Sequence, residues 1–266
     1  MGDIDQALAR AFARRGPAGE PSKLPAPHFA VDAPAAAAPA RPAGVAAGPA
    51  TGAGPDPAVA LEWPPTVRAL ERAHGARFEQ LADALATARV VAQARLLYFT
   101  SCHRSEGRTT LVLGLARALA RRTGRTVLVD GDLAGPMLAR SLGVRPRHGL
   151  DDVLDGSAAL DDVVLDAPDD HLAVVPLRAA MARPREVLAG PTWAATMARL
   201  RRDFDHVLVD GSPLFAGFGA VALPRAVDAA ILVHNRQLTG DRAVLRAREA
   251  LEGGGIPLLG LAETFV

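Results

Sequence analysis

Apolar positions after residue 64 follow two different spacings. Between residues 65 and 93 they recur every three or four positions, as in Val67, Leu70 and Leu85, which predicts a helical lead-in with one buried face. Gly75 marks the place where this lead-in would break into two helices. Further along, short continuous apolar runs alternate with helically spaced segments. This alternation is typical of a sheet whose strands are covered by helices on both faces.

The individual elements can be placed from these two spacings. The apolar runs predict strands at residues 96–100, 126–130, 172–177, 206–210, 229–234 and 257–262. The segments between them predict helices at residues 109–122, 137–142, 149–163 in two pieces, 191–202 and 241–251. Strands and helices that alternate in this way predict an α/β fold, with a doubly wound and mainly parallel sheet flanked by helices.

The first part of the chain has a different composition. Residues 1–15 have the spacing of a short helix, and residues 16–62 consist largely of proline, alanine and glycine. A stretch of that composition cannot bury enough apolar surface to order itself, so we expect a disordered linker. The folded domain is then predicted to span residues 63–266, with the helical lead-in at 65–93 and the core at 95–266.

Composition and charge narrow the classes of function. The formal net charge is +1, which gives no reason to expect nucleic acid as a partner. The single cysteine, Cys102, excludes an internal disulfide and a multi-cysteine metal site and fits a reducing compartment. No apolar run approaches the roughly 18 residues of a membrane helix, and the N-terminus is too charged for a secretion signal. We therefore expect a cytoplasmic protein with no membrane span of its own.

The stretch LLYFTSCHRSEGRTT, residues 96–110, carries the main chemical signal. It places a predicted strand before a small-residue loop and a helix start, as in the phosphate-binding loop GxxxxGK(S/T). In that loop, backbone N–H groups hold phosphates, a lysine reaches the β- and γ-phosphates and a hydroxyl binds Mg²⁺. Gly107 and Thr109 match the pattern, whereas Cys102 replaces its first glycine and Arg108 replaces its lysine.

Two predicted strands end in acidic residues. The stretch TVLVDGD has Asp130 and Asp132 at the end of one predicted strand, and the stretch HVLVDGSP has Asp210 at the end of another. Because ligands bind at the carboxyl ends of the strands of an open parallel sheet, these carboxylates should converge near the loop. They could hold Mg²⁺ or orient a nucleophile. For a single strand, the alternative interpretation is an aspartate that only opens a turn. Because two strands end in this way after a phosphate-type loop, we favour a ligand site.

Four segments together resemble a known family. They are SEGRTT, LVDGDLAGPMLARSLG, GLDDVLDG and the stretch from ARPREVLAG to FDHVLVDGSP. In this order they resemble the cytoplasmic ATPase domain of bacterial tyrosine kinases of capsule and exopolysaccharide synthesis, within the wider MinD/ParA-type deviant P-loop ATPases. SEGRTT is similar to the family's GEGKTT, and the second and fourth segments are similar to its second Walker motif and its Walker B motif.

The resemblance implies a site for ATP or ADP with Mg²⁺. Thr109, Asp132 and Asp210 would hold the metal ion, and Asp130 and Asp132 would serve the transfer chemistry together with Arg108 in the lysine position. The residues that would bind the phosphates are Ser105, Glu106, Gly107, Arg108, Thr109 and Thr110.

Several residues depart from the family pattern. Arg108 keeps the charge of lysine but is larger and planar, and the chain's only lysine, Lys23, lies in the linker. Ser105 replaces a glycine and would cost on the order of 1 kcal/mol if this position needs a positive φ. The chain's only tyrosine is Tyr98, inside a predicted strand, and the last residues contain no tyrosine tail. We therefore expect nucleotide binding to be weak or lost and phosphate transfer to be impaired.

Three neighbouring loop residues leave alternatives open. Cys102 lies beside a predicted helix N-terminus and could be a reactive thiol, although a passive loop residue is the interpretation we favour. His103 and Arg104 could add to the positive field around a phosphate, or they could be solvated loop residues.

The leading hypothesis is a tyrosine-kinase-like P-loop protein of exopolysaccharide or capsule synthesis, acting as a nucleotide-responsive regulator. By resemblance its partner would be a membrane chain-length regulator, a polysaccharide co-polymerase, which would hold it near the membrane. Homo-oligomers are compatible with this hypothesis. The alternative is an active MinD/ParA-type ATPase that switches between monomer and dimer, and a third hypothesis is a scaffold with a vestigial pocket.

Overall fold

The computed structural model describes residues 58–122, 124–215, 223–224 and 226–264. The predicted N-terminal helix at 1–15 and the predicted linker up to residue 57 lie outside these residues. Within the described ranges, no helix combines the length and the apolar character needed to cross a lipid bilayer.

The described residues form one seven-stranded sheet. Its strands are β1 (Leu96–Ser101), β2 (Thr126–Gly131), β3 (Leu165–Ala167), β4 (Leu172–Val175), β5 (His206–Gly211), β6 (Ala229–Asn235) and β7 (Leu258–Thr264). The order across the sheet is β3-β4-β2-β5-β1-β6-β7, and every neighbouring pair is parallel except β3 and β4. The prediction of a mainly parallel sheet is confirmed.

Helices flank the sheet on both faces. They are α1 (Pro65–Ala92), α2 (Arg108–Ala120), α3 (Leu138–Ser141), α4 (Leu150–Asp155), α5 (Pro184–Leu188), α6 (Pro191–Asp203) and α7 (Asp241–Gly253). Successive side chains of a strand point to opposite faces, so the strands contribute to apolar clusters on both faces of the sheet. Leu97 and Phe99 of β1 pack with α1 and α2 on one face, and Leu96 and Tyr98 pack with α4 and α6 on the other. A continuously apolar strand is therefore buried on both sides, as predicted.

The strand register brings the acidic strand ends together. Strands β2 and β5 are neighbours, with Asp130 opposite Asp210 and Gly131 opposite Gly211. Strand β1 lies on the other side of β5, with Phe99 opposite Asp210. The loop that follows β1 therefore begins at the same edge of the sheet. The predicted convergence of these strand ends is confirmed.

Residues 149–163 contain the two predicted helical pieces, but the second is shorter than predicted. The first piece is α4, and the second is a single 3₁₀ turn at Leu160–Asp162. The Asp162 carboxylate accepts a hydrogen bond of 3.2 Å from the backbone N–H of Ala159. This bond, from the residue that precedes the turn to the side chain of its third residue, is one half of a capping box and stabilises the start of the turn.

Other boundaries differ from the prediction by a few residues. Strand β4 ends at Val175, before Pro176, which has no N–H to donate to a neighbouring strand. Helix α2 ends at Ala120, two residues before the predicted end. The break predicted at Gly75 is confirmed one residue earlier, because His74 has non-helical angles of φ −133° and ψ 21° and α1 therefore consists of two helical segments that meet at a kink.

Residues 59–63, most of which were predicted to end the linker, lie against the domain. The backbone N–H of Val59 donates to the carbonyl of Asp166, and that of Glu62 donates to the carbonyl of Leu142, each at 2.9 Å. The indole N–H of Trp63 donates to a carboxylate oxygen of Asp170 at 2.8 Å. This segment is therefore part of the fold rather than of a free linker.

Candidate nucleotide site

The loop at residues 102–107 joins β1 to α2 at the carboxyl edge of the sheet. Ser105 and Gly107 both have positive φ, of 66° and 80°. The strain expected for a serine in place of glycine is therefore present, at a cost on the order of 1 kcal/mol. Helix α2 has no side-chain cap at its N-terminus, so backbone N–H groups of its first turn remain for another acceptor. Such an uncapped terminus favours an anion.

The side chain of Glu106 fixes this loop from within. It is 1% exposed, and one carboxylate oxygen accepts from the backbone N–H of His103 at 2.7 Å. The other accepts from the hydroxyl of Thr239 and from the backbone N–H of Asn235. From the sequence we predicted only phosphate binding for Glu106, and its side-chain role was missed. The position of Glu106 before a glycine in the loop motif does not indicate that its side chain holds the loop.

Arg108 is buried, and its guanidinium lies between two acidic residues. Its Nε donates to Oδ1 of Asp210 at 2.7 Å, and one terminal nitrogen donates to Oδ2 of Asp132 at 3.3 Å. The other terminal nitrogen of Arg108 makes a weaker contact of 3.4 Å with the hydroxyl of Ser101. Burial by itself would lower the pKa of Arg108, but the charges of Asp210 and Asp132 outweigh it and raise the pKa above its ordinary value. This side chain is therefore a fixed cation.

Asp132 has a second arginine partner that we did not foresee as one. A terminal nitrogen of Arg104 donates to its Oδ2 at 3.0 Å, and the hydroxyl of Ser212 donates to its Oδ1 at 2.9 Å. The side chain of Arg104 is half exposed, whereas that of Asp132 is almost fully buried. Of the two sequence interpretations of Arg104, the structure favours a charged member of the site over a solvated loop residue.

The other predicted site residues are Thr109, Thr110 and Asp130, and they do not all lie in the charged cluster around Arg108. The hydroxyl of Thr109 donates to Oδ2 of Asp210 at 2.7 Å, so the predicted pair of metal ligands is in direct contact. Thr110 follows in the first turn of α2 and is half-buried. Asp130 accepts backbone N–H bonds from Asp132, Met137 and Leu138 rather than bonds from the arginines. The predicted residues therefore divide into a charged cluster around Arg108 and a separate buried carboxyl.

Burial raises the pKa of Asp130 to about 7, and the charge of Asp210 acts in the same direction against three backbone N–H bonds. A carboxyl whose pKa is raised on folding favours the folded state at low pH. We expect the free energy of unfolding to fall by up to about 1 kcal/mol per pH unit between pH 4 and pH 7 through this group. The Asp130→Asn variant should lack this part of the pH dependence.

The measurement is urea unfolding at pH 5 and at pH 7 for the natural chain and the variant. The exposed Asp169, changed to asparagine, is the matched control and should keep the pH dependence of the natural chain. If the free energy of unfolding fell equally between pH 5 and pH 7 for all three proteins, the assignment of this pH dependence to Asp130 would be wrong.

Two reactive groups of the sequence are inert in the fold. Cys102 is buried, and desolvation together with the charge of Glu106 raises the pKa of its thiol to about 12. The passive interpretation of this cysteine is therefore confirmed over a reactive thiolate. Tyr98 is fully buried, its hydroxyl accepts the backbone N–H of Ser212 at 3.0 Å, and burial raises its pKa well above the usual range. It is not placed to accept a phosphate.

A separate cavity lies at the opposite, amino-terminal edge of the sheet. It measures about 560 Å³ and includes Arg89 and Arg201 in its lining. These arginines pair with Asp205 and Asp228 at 3.0 Å and 2.9 Å. The cavity is therefore basic but largely compensated, and it is not part of the charged cluster around Arg108.

The carboxylate oxygens predicted to bind Mg²⁺ have protein partners in this arrangement. Mg²⁺ requires six oxygen ligands at about 2.0–2.1 Å and keeps several waters. Here the carboxylate oxygens of Asp132 and Asp210 already contact arginine or hydroxyl groups. Among the described residues, no group of three or more metal-binding side chains has the geometry of a metal site. The roles predicted for Thr109, Asp132 and Asp210 in metal binding remain predictions.

Sequence comparisons identify kinases as relatives. No protein-family model matches this chain. It is 29% identical to the tyrosine-protein kinase CpsD of Streptococcus pneumoniae over 168 residues, which are 63% of this chain and 74% of CpsD. It is 28% identical to the succinoglycan biosynthesis transport protein ExoP of Rhizobium meliloti over 155 residues, which are 57% of this chain and 20% of ExoP.

Solved structures agree with the sequence relatives. The VpsO kinase domain superposes with a TM-score of 0.65 at 25% identity, covering 74% of this chain and 98% of that domain. The septum site-determining protein MinD of Pyrococcus horikoshii, complexed with Mg-ADP, superposes with a TM-score of 0.53 at 26% identity over 63% of this chain and 68% of MinD. In sequence and in fold, the chain is a homologue of the bacterial tyrosine kinases, built on the P-loop ATPase fold that it shares with MinD.

Proposed function

We propose that this chain is a tyrosine-kinase-like regulator of exopolysaccharide or capsule synthesis or export, which binds nucleotide but transfers phosphate weakly or not at all. Its homologues are tyrosine kinases, and ExoP is a succinoglycan biosynthesis transport protein, which supports the place in polysaccharide chemistry. The uncapped N-terminus of α2 and the exposed Arg104 support an anion-binding role for the loop.

The contact of Arg108 with Asp210 and Asp132 is the observation that carries the weak-transfer part of this proposal. The lysine of an ordinary phosphate loop reaches the β- and γ-phosphates. The buried guanidinium of Arg108 instead contacts two carboxylates that the kinases' chemistry would need. A planar, fixed group is also a poor substitute for the compact ammonium of lysine.

The partner we propose is a membrane chain-length regulator. ExoP contains the region similar to this chain as 20% of its length. This supports an arrangement in which a kinase-like domain acts beside a membrane transport part. Under this proposal the chain is cytoplasmic and reaches the membrane through that partner.

The alternative is an ATPase of the MinD kind that switches between monomer and dimer with nucleotide. The superposition on MinD with bound Mg-ADP favours it. Measuring the molecular mass of the full chain with ADP and with a non-hydrolysable ATP analogue separates the two, because a mass that doubles only with the analogue supports the switch.

The test of the proposed function is titration of the full chain with Mg·ATP. We expect measurable heat of binding, little hydrolysis and no phosphotyrosine. Arg108→Lys should raise hydrolysis by about tenfold or more, because a compact ammonium can again reach the transferred phosphate. Arg248→Lys, on the exposed face of α7, is the matched control and should change nothing. Strong autophosphorylation that is lost in Asp130→Ala would sink the proposal.

A further inference from the structure

All four carboxylate oxygens of Asp132 and Asp210 already have a partner within the chain. Oδ1 of Asp132 accepts from Ser212, and its Oδ2 accepts from Arg104 and Arg108. Oδ1 of Asp210 accepts from Arg108. Oδ2 of Asp210 accepts from Thr109. Each oxygen that would bind a metal ion therefore already accepts at least one hydrogen bond from the chain.

The charges of this cluster also balance without a metal ion. Two carboxylates, Asp132 and Asp210, face two guanidinium groups, Arg104 and Arg108. Asp130 accepts hydrogen bonds from the backbone N–H groups of Met137 and Leu138 rather than from either arginine. Adding Mg²⁺ would place two further positive charges beside a buried guanidinium. In a poorly solvated site such a like-charge contact is strongly unfavourable.

The two arginines differ in how freely they can act. The side chain of Arg108 is 9% exposed and contacts both acidic residues, whereas that of Arg104 is 51% exposed and contacts only Asp132. Arg104 belongs to the loop itself, so a modest rotation of its side chain would bring its guanidinium to an anion at the loop. A guanidinium binds phosphate oxygens with two parallel hydrogen bonds. Arg108 can meanwhile keep its contacts with both carboxylates.

We propose that this site binds the phosphate groups of a nucleoside di- or triphosphate without Mg²⁺, with Arg104 binding the phosphates and Arg108 taking the place of the metal ion beside Asp132 and Asp210. This inference rests on the proposed function, since it requires that nucleotide binds at the loop. Because Mg²⁺ masks phosphate charge, the metal-free nucleotide is the better ligand for such a site. The chain would therefore differ from P-loop proteins that bind nucleotide together with Mg²⁺.

The first experiment compares binding of ATP and ADP to the full chain in EDTA and in excess Mg²⁺ by isothermal titration calorimetry. We expect affinity in EDTA to equal or exceed that in Mg²⁺. Arg108→Lys should reverse the order and bind about tenfold more tightly with Mg²⁺, while the control Arg248→Lys should behave as the natural chain. Binding of the natural chain that is about tenfold tighter with Mg²⁺ overturns the inference and leaves the proposed function intact.

The second experiment uses Mg²⁺ alone, so it does not depend on nucleotide. Thermal unfolding of the natural chain should be unchanged by Mg²⁺, whereas that of Arg108→Ala should shift upward, because removal of the guanidinium leaves two carboxylates for the ion. An equal upward shift in both proteins overturns the inference. Failure of ATP and ADP to bind in either buffer overturns the proposed function and this inference together.

Discussion

Arg108→Ala is expected to lower the free energy of unfolding by about 3–5 kcal/mol. The guanidinium of Arg108 is buried between Asp210 and Asp132, at 2.7 Å and 3.3 Å. Its removal leaves two carboxylates, each less than 4% exposed, with reduced compensation in a site that water reaches poorly. Urea unfolding measures the change through the midpoint, provided that the slope with denaturant stays the same.

An exposed arginine provides the comparison for this result. Arg248 of α7 forms an ion pair of 2.8 Å with Glu252 at the surface. Its replacement by alanine should change the free energy of unfolding by less than about 1 kcal/mol, as is usual for surface pairs. If Arg108→Ala were as mild as Arg248→Ala, the carboxylates would have to be hydrated or protonated in the fold, and the charge balance described above would be wrong.

Gly211→Ala is expected to lower the free energy of unfolding by about 3 kcal/mol or more. Gly211 ends β5 directly beside the ring of Tyr98. A Cβ atom at this position would stand 2.1 Å from Cζ of that ring. The ring cannot give way easily, because Tyr98 is fully buried and its hydroxyl accepts the backbone N–H of Ser212. The change should also displace Ser212 from Asp132.

Gly260 in β7 is the matched control for this substitution. A Cβ atom there would meet no other atom within 4 Å. Gly260→Ala should therefore leave stability within about 1 kcal/mol of the natural chain or raise it slightly. Circular dichroism during urea unfolding gives both values. Equal effects of the two substitutions would show that backbone freedom, rather than contact with Tyr98, decides the cost.

The sheet and the meeting of its acidic strand ends could be predicted from the sequence. A strand such as β2 is buried at every position and has a continuous apolar run at residues 127–129, which is typical of strands covered on both faces. Parallel strands end at one edge, so Asp130, Asp132 and Asp210 had to lie near the loop after β1. These are consequences of local pattern and topology, and both can be inferred without coordinates.

The partners inside the site could not be predicted in the same way. Glu106 contacts Thr239, which is more than a hundred positions away in the chain, through a buried side chain that the loop motif does not specify. Arg104 contacts Asp132 because its loop turns through the positive φ of Ser105 and Gly107. The motif shows which residue types are present, but the loop conformation decides which donor reaches which oxygen.

The short elements at the edge of the sheet were missed for a different reason. Strand β3 has three residues, of which only Asp166 is exposed, and its antiparallel pairing with β4 follows from a tight connection through Pro168–Asp170. Three residues are too few for either apolar spacing to be recognised. Helix α5 has five residues and was missed for the same reason.

The chain's two tryptophans, Trp63 and Trp193, lie on opposite faces of the sheet. Trp63 belongs to the segment before α1, where Arg117 lies over its ring at 5.1 Å, and Trp193 is fully buried on α6. Each face therefore contains its own fluorophore. Emission from single-tryptophan versions of the chain would separate loss of the N-terminal segment from melting of the opposite helical layer, without any added label.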